Sequence, residues 1–150
     1  MSTYRFSHIG LCVTDLMRSR EFYEKYLGFK VKHEIRPGMS ETQDKFLALK
    51  KVDLTALFLT KNGFTLELLY YHSPGTAPKA TRPINQPGLT HISMRVRNLA
   101  KQLDRLEKSG YTVLRERSYH TNACFIQDPD GQQIELLGIP PKAPKQGKRR

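Results

Sequence analysis

The chain has 150 residues, of which 38% are hydrophobic and 26% charged, and its formal net charge is +11. That length suits one domain with a substantial core, and no apolar run approaches the roughly 20 residues that a membrane helix needs. The opening residues, MSTYRFSHIG, lack the apolar segment of a signal peptide, so we expect an intracellular, cytoplasmic protein. Cys12 and Cys124 have no metal or redox spacing and are expected to be free thiols.

The positive charge does not predict a specific nucleic-acid partner. The C-terminal stretch GIPPKAPKQGKRR carries +5 of the +11 with no acid, which leaves +6 for the rest of the chain. Because this stretch is rich in Pro and Lys without apolar periodicity, it predicts a basic disordered tail over residues 140–150. The body shows no recognition-helix pattern, zinc spacing or aromatic RNA-binding motif. We therefore expect neither a nucleic acid nor a membrane as partner, but a small-molecule substrate. Because the rest of the chain is also positively charged, that substrate can be anionic.

The first predicted module runs from about residue 6 to residue 71. A strand, FSHIGLCV, leads into a helical pattern, LMRSREFYEKYLGF, with Asp15 at the N-cap position and Gly28 at the C-cap position. The strand KVKHEI follows, then a longer loop near RPGMSETQDK. A hairpin turn at Lys61–Gly63 connects to the last strand, TLELLYY. The order of elements is βαβββ.

The second predicted module, at about residues 89–137, repeats that order after a linker at residues 72–88 that contains four prolines. Its segments are LTHISMRV, LAKQLDRLEKSGY, TVLRER, the turn DPDG and QIELL. A constant offset of 83 places His8 on His91, and the motif G-x-x-[L/I]-E-L-L places Glu67 on Glu135. These patterns predict an α+β fold in which two tandem βαβββ modules form a concave, barrel-like mixed sheet with helices on the outside. The two modules are expected to form a single domain over residues 1–139.

Strand parity separates the polar side chains of these strands from the core. Apolar residues occupy one face of each strand, and a histidine or a glutamate points to the other face. A lone histidine or glutamate in a strand is usually an ordinary hydrogen-bonded residue, but the pattern occurs twice at matched positions. Two imidazoles and two carboxylates suit a divalent cation such as Zn, Ni, Co, Mn or Fe. The predicted ligands are His8, Glu67, His91 and Glu135.

The motifs HIGLCVTDLMRSREFYEKYLGFKV, TLELLYY, LTHISMRV and DPDGQQIELL resemble those of the vicinal oxygen chelate superfamily. This superfamily includes glyoxalase I, methylmalonyl-CoA epimerase, extradiol dioxygenases and fosfomycin-resistance proteins. The resemblance implies paired βαβββ modules, a homodimer and one divalent metal held by the same four residues. In some members, one site draws its ligands from both subunits.

Departures from the family patterns narrow the expected chemistry. A glutamate at position 67 resembles glyoxalase I, whereas Phe125 stands where extradiol enzymes tend to carry Tyr. Bacterial glyoxalases tend to have Arg and Asn four residues after the first two ligands, where this chain has Cys12 and Tyr71. Arg95 holds the matching place in the second module, and we assign these three residues to substrate binding.

The resemblance implies a metal-dependent lyase or isomerase of the glyoxalase or epimerase type. The metal would stabilise an enediolate while Glu135, and secondarily Glu67, carries a proton between neighbouring carbons. Two alternatives stay open at this point, a ferrous extradiol-type dioxygenase and a non-catalytic protein that binds an antibiotic.

Overall fold

The structure is a computed structural model that describes residues 3–80 and 82–140, so nearly all of the predicted basic tail lies outside the described residues. The chain divides into two compact units, one ending at Pro83 and the other beginning at Ile84. This boundary falls inside the stretch predicted as a linker. In neither described range is there a helix with the length and apolar character required to cross a membrane.

The first unit contains one sheet with four strands in the order β1-β4-β3-β2. Strand β1 is parallel to β4, and the other pairs are antiparallel. Its elements are β1 (Ile9–Cys12), α1 (Leu16–Glu21), a π-helical turn (Phe22–Tyr26), β2 (Lys30–Ile35), α2 (Glu41–Leu47), β3 (Asp53–Lys61) and β4 (Phe64–Ser73).

The second unit repeats the topology with the strand order β5-β8-β7-β6. Its elements are β5 (Ile92–Val96), α3 (Leu99–Lys108), β6 (Val113–Tyr119), β7 (Ala123–Gln127) and β8 (Gln133–Gly138). Strand β5 is parallel to β8, as β1 is to β4. The predicted α+β class and the doubled βαβββ order are confirmed, and each sheet is an open mixed sheet.

The first helix begins as predicted but changes its winding in the middle. The Asp15 carboxylate accepts a bond of 3.0 Å from the Arg18 amide, which satisfies one of the unpaired donors at the helix start. From Phe22 the helix continues as a π turn, in which the Leu27 amide donates to the Phe22 carbonyl. The wider turn buries Phe22, Tyr23 and Leu27. Phe22 and Leu27 are five residues apart and share the buried side of the helix because the turn between them is wider than an α-helical turn.

The long loop of the first module contains a short helix that the sequence pattern did not predict. Helix α2 begins at Ser40, whose hydroxyl accepts from the Gln43 amide at 3.1 Å. Asp44 holds the other end, because its carboxylate accepts from the Lys51 and Val52 amides, both at 2.8 Å. The helix contributes Leu47 to a cluster in which Leu47, Phe58, Leu69 and Tyr71 pack against the buried residues Val52, Leu54 and Ala56. By strand alternation, these β3 and β4 members lie on the same face of the sheet as Glu67.

The core of each unit lies between one face of its sheet and a helix, which is α1 with its π turn in the first unit and α3 in the second. In β4, Leu66 and Leu68 are fully buried on either side of the half-buried Glu67. In β8, Ile134 and Leu136 are buried on either side of Glu135. Because neighbouring side chains in a strand point to opposite faces, burying the aliphatic residues turns both carboxylates to the face away from that helix. The predicted parity is therefore confirmed in both units.

Candidate metal half-sites

A first half-site consists of His8 and Glu67 in the first unit. The backbone register places Gly10 of β1 beside Glu67 of β4, and Glu67 beside Phe58 of β3. The His8 Nε2 atom lies 3.2 Å from the Glu67 Oε2 atom. On the other side of the ring, Nδ1 forms a hydrogen bond of 2.9 Å with the Ser7 hydroxyl. The edge-on ring of Phe58, with centroids 5.5 Å apart, completes the surroundings of the imidazole.

A second half-site, His91 and Glu135, repeats this arrangement in the second unit. The His91 Nε2 and Glu135 Oε2 atoms are 3.7 Å apart, and the Thr90 hydroxyl bonds His91 Nδ1 at 2.9 Å. Phe125 meets the imidazole edge-on with centroids 5.4 Å apart, and the β7–β8 register pairs Phe125 with Glu135. Each imidazole is thus fixed between a neighbouring hydroxyl and an aromatic ring.

The hydrogen bonds around both imidazoles suit metal binding. When Nδ1 carries the proton and donates it to the neighbouring hydroxyl, Nε2 presents a lone pair toward the carboxylate. Metal-ligating histidines usually have their second nitrogen bonded in this way, since the bond fixes the ring orientation and the tautomer. When the ring is protonated instead, the same geometry forms an ion pair with the carboxylate.

The surroundings of the two carboxylates differ at one position. In the first unit there is little room for a side chain at Gly10, because a Cβ atom there would lie 3.3 Å from the Glu67 Oε2 atom. At the matching position of the second unit, the Ser93 hydroxyl donates to the Glu135 Oε2 atom at 2.7 Å. Glu135 is therefore held by one more hydrogen bond than Glu67.

The residues assigned to substrate binding lie on the same sheet faces as the half-sites. Cys12 is exposed, two residues beyond Gly10 on β1. Burial raises the pKa of Tyr71 above its usual range, and the nearby Cys12 thiol and Glu67 carboxylate raise it further. The phenol therefore stays protonated and can donate a hydrogen bond beside Glu67. Arg95 is exposed and lies two residues beyond Ser93 on β5.

Within each unit the structure brings together two of the four predicted ligands. No group of three or more His, Cys, Asp or Glu side chains that could hold a metal occurs in residues 3–80 or 82–140. The imidazole nitrogen and carboxylate oxygen of each pair are donors that suit divalent transition metals. Since such ions usually take at least four ligands, each pair fits as half of a coordination shell.

Several contacts around the half-sites were not predicted from the sequence. The hydroxyls of Ser7 and Thr90 could have been found, because they obey the same offset of 83 as the histidines. Phe58 and Phe125 differ by 67 positions, whereas Glu67 and Glu135 differ by 68. The unequal hairpins therefore hid the repeat of the aromatic ring.

The duplicated βαβββ topology, with a His–Glu pair on one face of each sheet, defines a class of two-module proteins. Residues 5–136 match the family model described as the glyoxalase/bleomycin resistance protein/dioxygenase superfamily. The chain belongs to this superfamily, as its motifs had indicated.

Individual relatives agree with this membership. Lactoylglutathione lyase from Escherichia coli O157:H7 is 29% identical over 141 residues, which cover 89% of this chain and 91% of that protein. The structure of trypanothione-dependent glyoxalase I from Leishmania major is 26% identical with a TM-score of 0.67, covering 91% of this chain and 87% of that one. A glyoxalase family protein from Bacillus cereus shares the fold with a TM-score of 0.78 at 19% identity, covering 92% and 95% of the two chains.

Proposed function

We propose that the protein is a divalent-metal-dependent lyase or isomerase of the glyoxalase or epimerase type, which moves a proton between adjacent carbons of a small substrate. The observation that carries the proposal is the repeated half-site. In both units a histidine faces a glutamate through Nε2 and is fixed through Nδ1 by the preceding hydroxyl. Superfamily membership and the lactoylglutathione lyase relatives agree with this chemistry.

The proposed ligands of one cation are His8, Glu67, His91 and Glu135. Each module supplies one nitrogen and one oxygen donor, so two modules, from one chain or from two copies, are needed for four ligands. Zn, Ni, Co, Mn and Fe all suit this donor set. A bound cation would supply Lewis-acid stabilisation of negative charge on a substrate oxygen.

The two glutamates have different proposed roles in proton transfer. The Ser93 hydroxyl fixes the Oε2 atom of Glu135. No hydrogen bond to its Oε1 atom occurs within the part of the chain that the structure describes. Oε1 can therefore take a proton from one substrate carbon and return it to the next while Oε2 stays anchored. Glu67 lacks such an anchor and is the secondary candidate for the proton carrier.

The substrate is proposed to be a small carbonyl compound that reaches Cys12, Tyr71 and Arg95. The protonated Tyr71 hydroxyl would donate to a substrate oxygen, and Arg95 would meet an anionic group. Cys12 and Tyr71 stand where bacterial glyoxalases tend to carry Arg and Asn. If the substrate is a thiol adduct, its thiol therefore need not be glutathione. A homodimer and a cytoplasmic location remain predictions.

Exchange of substrate hydrogen with deuterated water tests the reaction type directly. We expect the metal-loaded protein to exchange a C–H next to the carbonyl in at least one compound of a panel of 2-oxo compounds, their thiol adducts and acyl-CoA esters. Glu135→Gln should abolish the exchange, since the amide cannot take up the proton. Oxygen consumption with catechols after anaerobic ferrous loading would instead support the dioxygenase. Antibiotic binding that a chelator leaves unchanged would support the binding protein.

The Ser93 hydroxyl is expected to contribute to metal affinity through Glu135. Ser93→Ala should weaken divalent-metal binding about tenfold, because outer hydrogen bonds to a ligating group typically contribute 10- to 100-fold. Competition with a chromogenic chelator measures this effect. Ser109→Ala is the matched control, since Ser109 is exposed at the end of α3. Equal affinities of both variants would contradict the assigned role of Ser93.

A further inference from the structure

Arg117 lies beside the second half-site and contacts the ring that packs against His91. Its guanidinium carbon is 4.5 Å from the centroid of the Phe125 ring, and that ring meets His91 edge-on. One terminal nitrogen of Arg117 donates to the Gln133 side-chain oxygen at 2.8 Å. Gln133 precedes Glu135 by two residues on β8, so both side chains point to the same face of the sheet. The bond to Gln133 therefore holds the Arg117 guanidinium beside β8, at a position two residues before Glu135.

An irregularity in the sheet brings Arg117 to this place. Leu114 of β6 pairs with Phe125 of β7, but the next pair joins Ser118 to Cys124. Phe125 and Cys124 are adjacent in β7, whereas three extra residues of β6, including Arg117, lie between their partners. Bulges of this kind occur often beside active sites, where they redirect a side chain. Without the bulge, regular antiparallel pairing would place Arg117 opposite residue 122, three positions away from Phe125.

The charge of Arg117 is not neutralised by an acidic side chain within the described ranges, as comparison with Arg115 shows. Arg115 lies on the same strand and bonds Asp104 at 2.6 Å and Glu107 at 2.7 Å, so its charge is balanced on the surface of α3. The partners of Arg117 in this part of the chain are an amide oxygen and an aromatic face. Both orient the guanidinium and leave other N–H donors available for an anion.

The first unit has a different group at the corresponding place. There the ring of Phe58, which contacts His8 edge-on, is stacked at 4.4 Å by the His33 imidazole. The β2–β3 pairing also shows a register shift, between Val31 and His33. Both units thus have an aromatic ring and a register shift here, with one extra residue in β2 and three in β6. They differ in the group that stacks on the ring. Among the described residues, only the second unit has a permanent cation stacked on this ring, since arginine stays protonated at any physiological pH.

We propose that Arg117 binds a carboxylate of the substrate beside the second half-site and selects for carbonyl compounds that carry such a group. The proposal deepens the proposed function and rests on it for the identity of the reacting centre. The planar guanidinium can hold a carboxylate through two parallel hydrogen bonds. Stacking on Phe125 and the bond to Gln133 fix its orientation before the substrate binds, which reduces the entropy lost on binding. Arg95, which pairs with Leu137 two residues beyond Glu135, is not required for this contact.

Oxalate and its neutral isostere oxamide provide a direct test by NMR. The Nε–H resonance of Arg117 is assigned by its absence in Arg117→Met and followed during titration at constant ionic strength. We expect a saturable shift with oxalate and none with oxamide, both in chelator-treated protein and in protein loaded with Zn²⁺. Monitored at His91, the oxalate dissociation constant should rise about tenfold or more in Arg117→Met. Arg117→Lys should restore part of the affinity, because lysine keeps the charge but lacks the planar pair of donors.

Arg115→Met is the matched control, since it removes a cation from the same strand whose charge is already balanced. It should change the oxalate dissociation constant less than twofold. An Arg117 resonance that stays in place with oxalate, or an equal loss of affinity in both methionine variants, would overturn the proposal. Metal analysis of the same samples separates the two hypotheses. A saturable shift in protein that binds no metal would support the anion site and contradict the metal-dependent reaction. Bound metal without the shift would contradict only the anion site.

Discussion

We expect that the Glu67→Ala and His91→Ala variants each fail to bind a stoichiometric amount of divalent metal. Each substitution removes one ligand from a different half-site, and the remaining imidazole or carboxylate cannot complete a four-ligand shell. Loss of a direct ligand should exceed the 10- to 100-fold effect of outer contacts, so we expect affinity to fall by more than about 100-fold. Proton exchange activity should fall with it. Metal analysis of the purified variants and chelator competition measure both effects.

The pattern of loss distinguishes one shared site from two independent sites. If four ligands hold one cation, each variant loses all of its metal, because every site lacks one donor. If each half-site bound its own cation, each variant would keep the metal of the intact unit and lose half of the total. His120→Ala is the control, because His120 is exposed in the turn after β6. Metal retained in full by both ligand variants would remove the proposed site.

The repeat made the half-sites predictable from sequence, since it exposed residues that are uninformative alone. One glutamate between aliphatic residues has several explanations. Two such glutamates at matched positions, each accompanied by a matched histidine, have few. Alternation then determined which way Glu67 and Glu135 point, because burying the flanking aliphatic residues leaves them one direction. The structure confirms this direction in both units. Alternation does not predict which side chains of neighbouring strands are in contact, because these contacts depend on the register between the strands.

Features that break a regular period escaped prediction for the same physical reason. Tyr23 lies in the π turn and is buried in the core, a position that a regular apolar period along the helix does not reveal. Helix α2 is one short segment whose ends depend on contacts made by Ser40 and Asp44 rather than on a long apolar stripe. Arg117 owes its position to a bulge that the spacing of apolar residues in β6 does not reveal. Local irregularity therefore hid these three features from prediction by regular spacing.

Leu66→Ala and Ile134→Ala are expected to lower the free energy of unfolding by about 2–5 kcal/mol each, because truncating a fully buried aliphatic residue leaves a cavity. The two residues occupy matched places before Glu67 and Glu135, and each is fully buried in its own unit. Thermal and urea denaturation of both variants measure the loss. Val31→Ala, at a 37% exposed position on the edge strand β2, is the control and should change stability by less than about 1 kcal/mol.

The same two variants test the prediction that residues 1–139 form a single domain. In a single cooperative domain, a cavity in either unit lowers the midpoint of one shared transition, since neither unit can unfold without the other. Units that unfold independently would give two transitions, and each variant would move only the transition of its own unit. That outcome would contradict the single-domain prediction while leaving each half-site intact in its own fold. A cation that draws ligands from both modules of one chain would then couple the two transitions, because binding stabilises only the state in which both half-sites are folded.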